Sequence, residues 1–165
     1  MTYLKMHLLL NYYPAIFAAL ATLILAAGMY FGMPGAYRAT LKLLVFVFLL
    51  TLIVIFLGEF AGMYAGASEG PRATALEKHK LTGTAAFVTV AVTGIAALVA
   101  SIRLRKRPDV TRKAQAVMLF LAALSAALLI ASVLAGRSIK SAAAAGADIL
   151  INTNSTEMEN NKWHA

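Results

Sequence analysis

The sequence contains no cysteine. That excludes disulfide frameworks, iron–sulfur clusters, thiolate zinc sites and covalently attached c-type haem. Acidic residues are scarce, 7 against 15 Lys and Arg, and charged residues make up only 13% of the chain. Soluble domains carry roughly 25%. The counts of 11 glycines and 4 prolines in 165 residues are too low for a collagen-like fibre or a Pro/Gly-rich disordered chain. No P-loop, no dinucleotide-binding glycine pattern, no HExxH zinc motif and no assignable Ser/His/Asp set occurs. The chain is therefore read as a non-enzyme.

What is present is apolar: 61% of the residues are hydrophobic and the mean hydropathy is +0.76. A formal charge of +8 would suggest nucleic acid in a soluble protein. Here the cations sit in short clusters between long neutral runs, so no nucleic-acid partner is expected. Residues 6–37, 81–102 and 114–136 contain no Asp, Glu, Lys or Arg, and residues 43–68 contain only Glu59. About 20 helical residues cross a ~30 Å hydrocarbon core. Four such runs predict an all-α protein, an integral membrane four-helix up-down bundle embedded in the lipid bilayer.

The spans are placed at about residues 14–33, 41–65, 79–103 and 114–135, forming a bundle over 1–138 with an extramembrane tail at 139–165. Pro14 suits the first helical position, and Pro34-Gly35 is expected to stop span one. The segment Thr2–Tyr13 reads as a surface stretch with Tyr12 and Tyr13 in the aromatic belt, and it makes a poor signal peptide. Thr74-Ala75-Leu76-Glu77 matches a capping box that would start the third helix. The tail is Ala-rich and then polar, and is expected to be partly disordered.

Lys and Arg counts set the orientation. Arg38, Lys42, Arg103, Arg105, Lys106, Arg107, Arg112 and Lys113 follow spans one and three, offset by Asp109 alone. This dense cluster predicts a cytoplasmic face there and both termini outside, in a bacterial inner membrane. Gly58, Gly62 and Gly66, and also Gly28 and Gly32, have the GxxxG spacing that lets helices approach closely in lipid.

Two of the three histidines are candidate ligands. His7 precedes span one and His79 precedes the apolar part of span three, so both belong to one end of the bundle. Haem b needs no cysteine, since two neutral imidazoles fill its axial positions. Gly83 lies one turn after His79 and would leave room for a flat macrocycle. Arg72, Lys78 and Arg137 are placed to pair with propionates. If only one histidine ligates, Met6 or Met63 is the alternative axial ligand. The competing reading is that both histidines are ordinary interfacial polar residues. His164 lies in the tail and is assigned no role. Glu59, the one carboxylate inside a span, marks a proton or polar site, or else hydrogen-bonds a neighbour near the interface.

The stretch His7-Leu8-Leu9-Leu10-Asn11-Tyr12-Tyr13-Pro14, with Glu77-Lys78-His79-Lys80 ahead of span three, resembles a bacterial family of four-span membrane proteins. That family is catalogued as domain of unknown function 2231, and its opening pattern reads His-x-x-x-Asn-His-Phe-Pro. The resemblance covers about residues 6–138, and His7, Asn11, Pro14 and His79 match. Tyr12 and Tyr13 stand where histidine and phenylalanine are common, and Ala135-Gly136-Arg137-Ser138 keeps part of a glycine-rich motif. Family members occur beside or fused to cytochromes. The resemblance thus implies a redox membrane system with a cytochrome or another membrane or periplasmic redox subunit as partner.

Three functional readings follow. The first is a small subunit of a bacterial redox or electron-transfer complex, holding haem b near the outer face. The second is a cofactor-free accessory subunit of a larger complex. The third is a small proton-linked carrier centred on Glu59, ranked last because four spans are few and no inverted repeat is evident.

Overall fold

A computed structural model describes residues 10–64, 71–106 and 109–161, with side chains over 10–33, 35–58, 77–105 and 109–137. It contains four helices: α1 (Tyr12–Tyr30), α2 (Pro34–Tyr64), α3 (Pro71–Lys106) and α4 (Arg112–Asn161). All four are long and apolar enough to cross a membrane. Each packs against its neighbours in sequence, and α1 closes the ring against α4. The short connections require antiparallel neighbours, which gives the up-down bundle.

The helix ends have local causes that differ from the sequence expectation. Helix α1 begins at Tyr12, so Pro14 is its third residue, where a missing N–H still costs no intrahelical bond. It ends before Pro34-Gly35. Gly32 takes φ +68°, and the Met33 N–H donates to the Gly28 carbonyl at 2.8 Å. This is a glycine-capped terminus with a six-to-one bond. Pro34 then opens α2 rather than stopping α1. Gly28 and Gly32 therefore do not act as a pair: Gly32 turns the chain, and Gly28 alone makes a close contact, with Ala36.

Helix α3 starts at Pro71, which places Thr74 inside the helix instead of at its cap. Proline at the first position, with its φ already set, provides the start. Helix α4 begins after Thr111, whose Oγ1 accepts the Ala114 N–H at 3.2 Å as an N-cap. It continues through the Ala-rich stretch to Asn161. Residues 139–161 of the tail, expected to be partly disordered, are helical, consistent with the high helix propensity of Ala142–Ala145.

The packing is small inside and large outside. Ala18, Ala21, Ala97 and Ala122 are fully buried. Leu23, Phe56 and Phe120 are each about two-thirds exposed, as suits a surface solvated by lipid. One core cluster joins Ala21, Leu25, Tyr37, Leu41, Leu44, Ala97, Met118 and Ala122. The other joins Ala15, Ala18, Val47, Ala86, Val90, Ala126 and Leu129. Among the described residues the buried polar side chains are the hydroxyls of Thr40, Thr51, Thr93, Ser125 and Ser132 and the amide of Asn11. Thr93 and Ser125, both 1% exposed, lie with their oxygens 2.9 Å apart across α3 and α4, and Thr93 donates to the Thr89 carbonyl at 2.8 Å. The Thr93 proton is then committed, so Ser125 donates to Thr93. A bond of this kind contributes about 0.6 kcal/mol in lipid. Thr82, Thr84 and Thr89 also bond back to helix carbonyls, as their type predicts.

Gly94 on α3 packs closely against Phe48 on α2. A Cβ there would overlap the Phe48 Cβ and sit 2.8 Å from its Cγ, whereas a Cβ at Gly35 would meet nothing within 4 Å. Gly94→Ala should lower bundle stability by about 1–3 kcal/mol, while Gly35→Ala should be neutral or stabilise by up to about 1 kcal/mol. Unfolding titrations in mixed micelles measure both. Equal effects would contradict this packing.

Candidate functional site at the terminal end of the bundle

The start of α1, the His79 region of α3 and the stretch Ser132–Arg137 of α4 meet at one end of the bundle. His79 is half-buried, and its Nδ1 lies 3.1 Å from the Ser132 carbonyl oxygen. A carbonyl can only accept, so Nδ1 carries the proton and donates. The Ser132 carbonyl has a second lone pair and can take this bond in addition to its helical one. In the neutral ring the arrangement fixes the tautomer, with the lone pair on Nε2. Metal-ligating histidines are commonly oriented in the same way, by a second-nitrogen N–H given to a carbonyl or carboxylate.

Gly83 is also at this contact. A Cβ there would lie 3.6 Å from the Ser132 Oγ, so the glycine expected to make room for a macrocycle faces α4 at ordinary van der Waals distance. Ser132 itself is 4% exposed. It therefore supplies the carbonyl that holds His79 and a small side chain beside Gly83.

Five residues beyond Ser132, the exposed Arg137 donates from Nε to the Tyr12 Oη at 3.2 Å, with its guanidinium carbon 5.6 Å from the ring centroid. Tyr12, expected only as an interfacial aromatic, thus ties α1 to α4. Beside it Asn11 is 9% exposed and makes no side-chain cap. Lys78 is exposed.

Other sequence candidates are placed by backbone alone or not at all. Glu59 and Met63 lie in the last part of α2, which runs toward the same end, and Arg72 lies in the first turn of α3; their side chains are outside the described residues. Met6, His7 and His164 also lie outside them. Among the described residues no group of three or more His, Asp or Glu side chains could hold a metal ion.

Ser132, the Tyr12–Arg137 contact and the Ser125 partner of Thr93 are what the sequence did not show, whereas the back-bond of Thr93 to a helix carbonyl is the one its type predicts. Ser125 and Ser132 are seven residues apart on one face of α4, a spacing that could have marked them. The fold and this rim define the class: a multi-pass helical membrane protein with a polar cluster at the end where the start of α1, His79 and Ser132–Arg137 meet. No protein-family model, curated protein or solved structure matches the chain.

The tautomer is testable. Nitrogen-15 NMR of histidine-labelled protein, at a pH where the ring is neutral, should show His79 protonated on Nδ1. A ring protonated on Nε2 would contradict the bond to Ser132.

Proposed function

We propose that the chain is a small non-enzymatic subunit of a bacterial inner-membrane redox assembly, holding haem b at its terminal end with both termini outside. The observation that carries this reading is the His79 Nδ1–H bond to the Ser132 carbonyl, which orients the imidazole and sets the tautomer whose lone pair is on Nε2, the form in which histidine ligates iron. His7 is the second axial ligand in this reading, with Met63 as its alternative. Arg137, beside Tyr12 at the same end, supplies a cation for a propionate. When bound, haem b supplies one-electron transfer. The protein's part is to hold the ligand ring, to present a cation at the rim and to surround the site with lipid-facing apolar helices. The resemblance carried by His7, Asn11, Pro14 and His79 points the same way and brings a cytochrome or another redox subunit as partner. Glu59, on the α2 segment leading to this end, is the proton or polar site of the assembly.

One observation favours a second reading, a cofactor-free accessory subunit. Gly83 sits against Ser132, so that side of α3 is used for helix packing.

An absorption spectrum separates the two. Full-length protein, expressed with ample haem and extracted in mild detergent, should show a Soret band that shifts on reduction, and His79→Ala should remove it while circular dichroism stays helical. A folded, haem-free protein under those conditions would overturn the haem reading and leave the accessory one.

A further inference from the structure

The opposite end of the bundle has its own chemistry. Arg38 and Lys42 on α2, Arg103 and Arg105 at the end of α3, and Arg112 and Lys113 at the start of α4 are all exposed. The packing of Leu104, Val110 and Met29 against one core cluster gathers these helix ends together. Asp109 is the one acid among the described residues there, and no ion pair joins it to any of the six cations among those residues. Like charges held together repel one another, and among the described residues at this end only Asp109 carries the opposite sign.

Two details give this surface a membrane depth. Arg38 and Lys42 are one turn apart, so they form a stripe on one face, and both fall within the apolar span Gly35–Gly58. Lys42 is eight residues into α2, about 12 Å along its axis, so its ammonium must snorkel outward to reach polar surroundings. At the adjoining turn Tyr30 and Phe31 are 85% and 65% exposed and pack edge to face, with centroids 4.9 Å apart. Exposed aromatic rings of this kind settle at the headgroup level.

We propose that this end is a binding surface for the phosphate headgroups of acidic phospholipids, with Arg38 and Lys42 as its deepest contacts. The partner follows from charge and depth together. The cations need an anion, the site lies where acyl chains give way to headgroups, and a juxtamembrane basic cluster attracts acidic lipid. Zwitterionic lipid, whose own ammonium cancels its phosphate, does not meet that need.

The test uses the full chain in detergent, titrated with dioleoylphosphatidylglycerol or dioleoylphosphatidylcholine, with bound lipids counted by native mass spectrometry. Phosphatidylglycerol adducts should clearly exceed those of phosphatidylcholine. Removing two charges with Arg38→Gln plus Lys42→Gln should weaken phosphatidylglycerol binding at least about tenfold, given about fivefold per cation. Arg103→Gln plus Arg105→Gln gives an independent pair if the first variant loses its helical circular dichroism. Lys78→Gln plus Lys80→Gln, on α3 near the other end, should leave phosphatidylglycerol binding unchanged. Equal adducts for the two lipids would overturn the proposal, as would equal losses in the basic-end and control pairs, or complete displacement by soluble glycerol phosphate.

Discussion

Lipid is as apolar as leucine, so bringing two membrane helices together removes no hydrocarbon from water. What remains to hold the bundle is close packing and a few hydrogen bonds, and both need small side chains where helices cross. The chain meets that constraint by placing Ala18, Ala21, Ala97 and Ala122 inside and Leu23, Phe56 and Phe120 outside. Gly94 against Phe48 and Gly28 against Ala36 bring backbones closer still. The hydroxyls of Thr93 and Ser125 add a bond across the most extensive interface, between α3 and α4. The rim follows from the same interface, because His79 and Ser132 lie on it.

The two ends of the bundle are chemically unlike. One gathers the polar groups Asn11, Tyr12, His79 and Ser132, with Arg137 clasped to a tyrosine and Glu77, Lys78 and Lys80 exposed on α3. The other gathers six described cations around one acid. A polar end that holds a ring by its carbonyl bond suits a ligand. A cationic end suits the charged surface of a leaflet. These roles are compatible, since the apolar length of the bundle separates them.

The four spans were legible because membrane thickness imposes long neutral runs that no local detail can hide. The helix ends were not, because they depend on single residues with more than one use. Gly32 reads equally as half of a packing motif or as a left-handed cap, and its φ of +68° decides for the cap. Pro34 reads as a stop or a start, and the cap just before it makes it a start. His79 was visible as an isolated imidazole near a span boundary. Its partner was not, since a backbone carbonyl at residue 132 leaves no mark in the sequence. The Tyr12–Arg137 contact joins residues 125 apart and is equally silent at sequence level. His7, the second candidate ligand, lies outside the described residues.

A closed up-down ring brings the start of α1 and the end of the α4 span together at the His79 end. The absence of cysteine makes this directly measurable with introduced spin labels. Labels at Tyr12→Cys and Arg137→Cys should lie well under the ~30 Å hydrocarbon thickness apart, and labels at Tyr12→Cys and Arg105→Cys about that thickness or more. A long distance for the first pair, or a short one for the second, would contradict the arrangement.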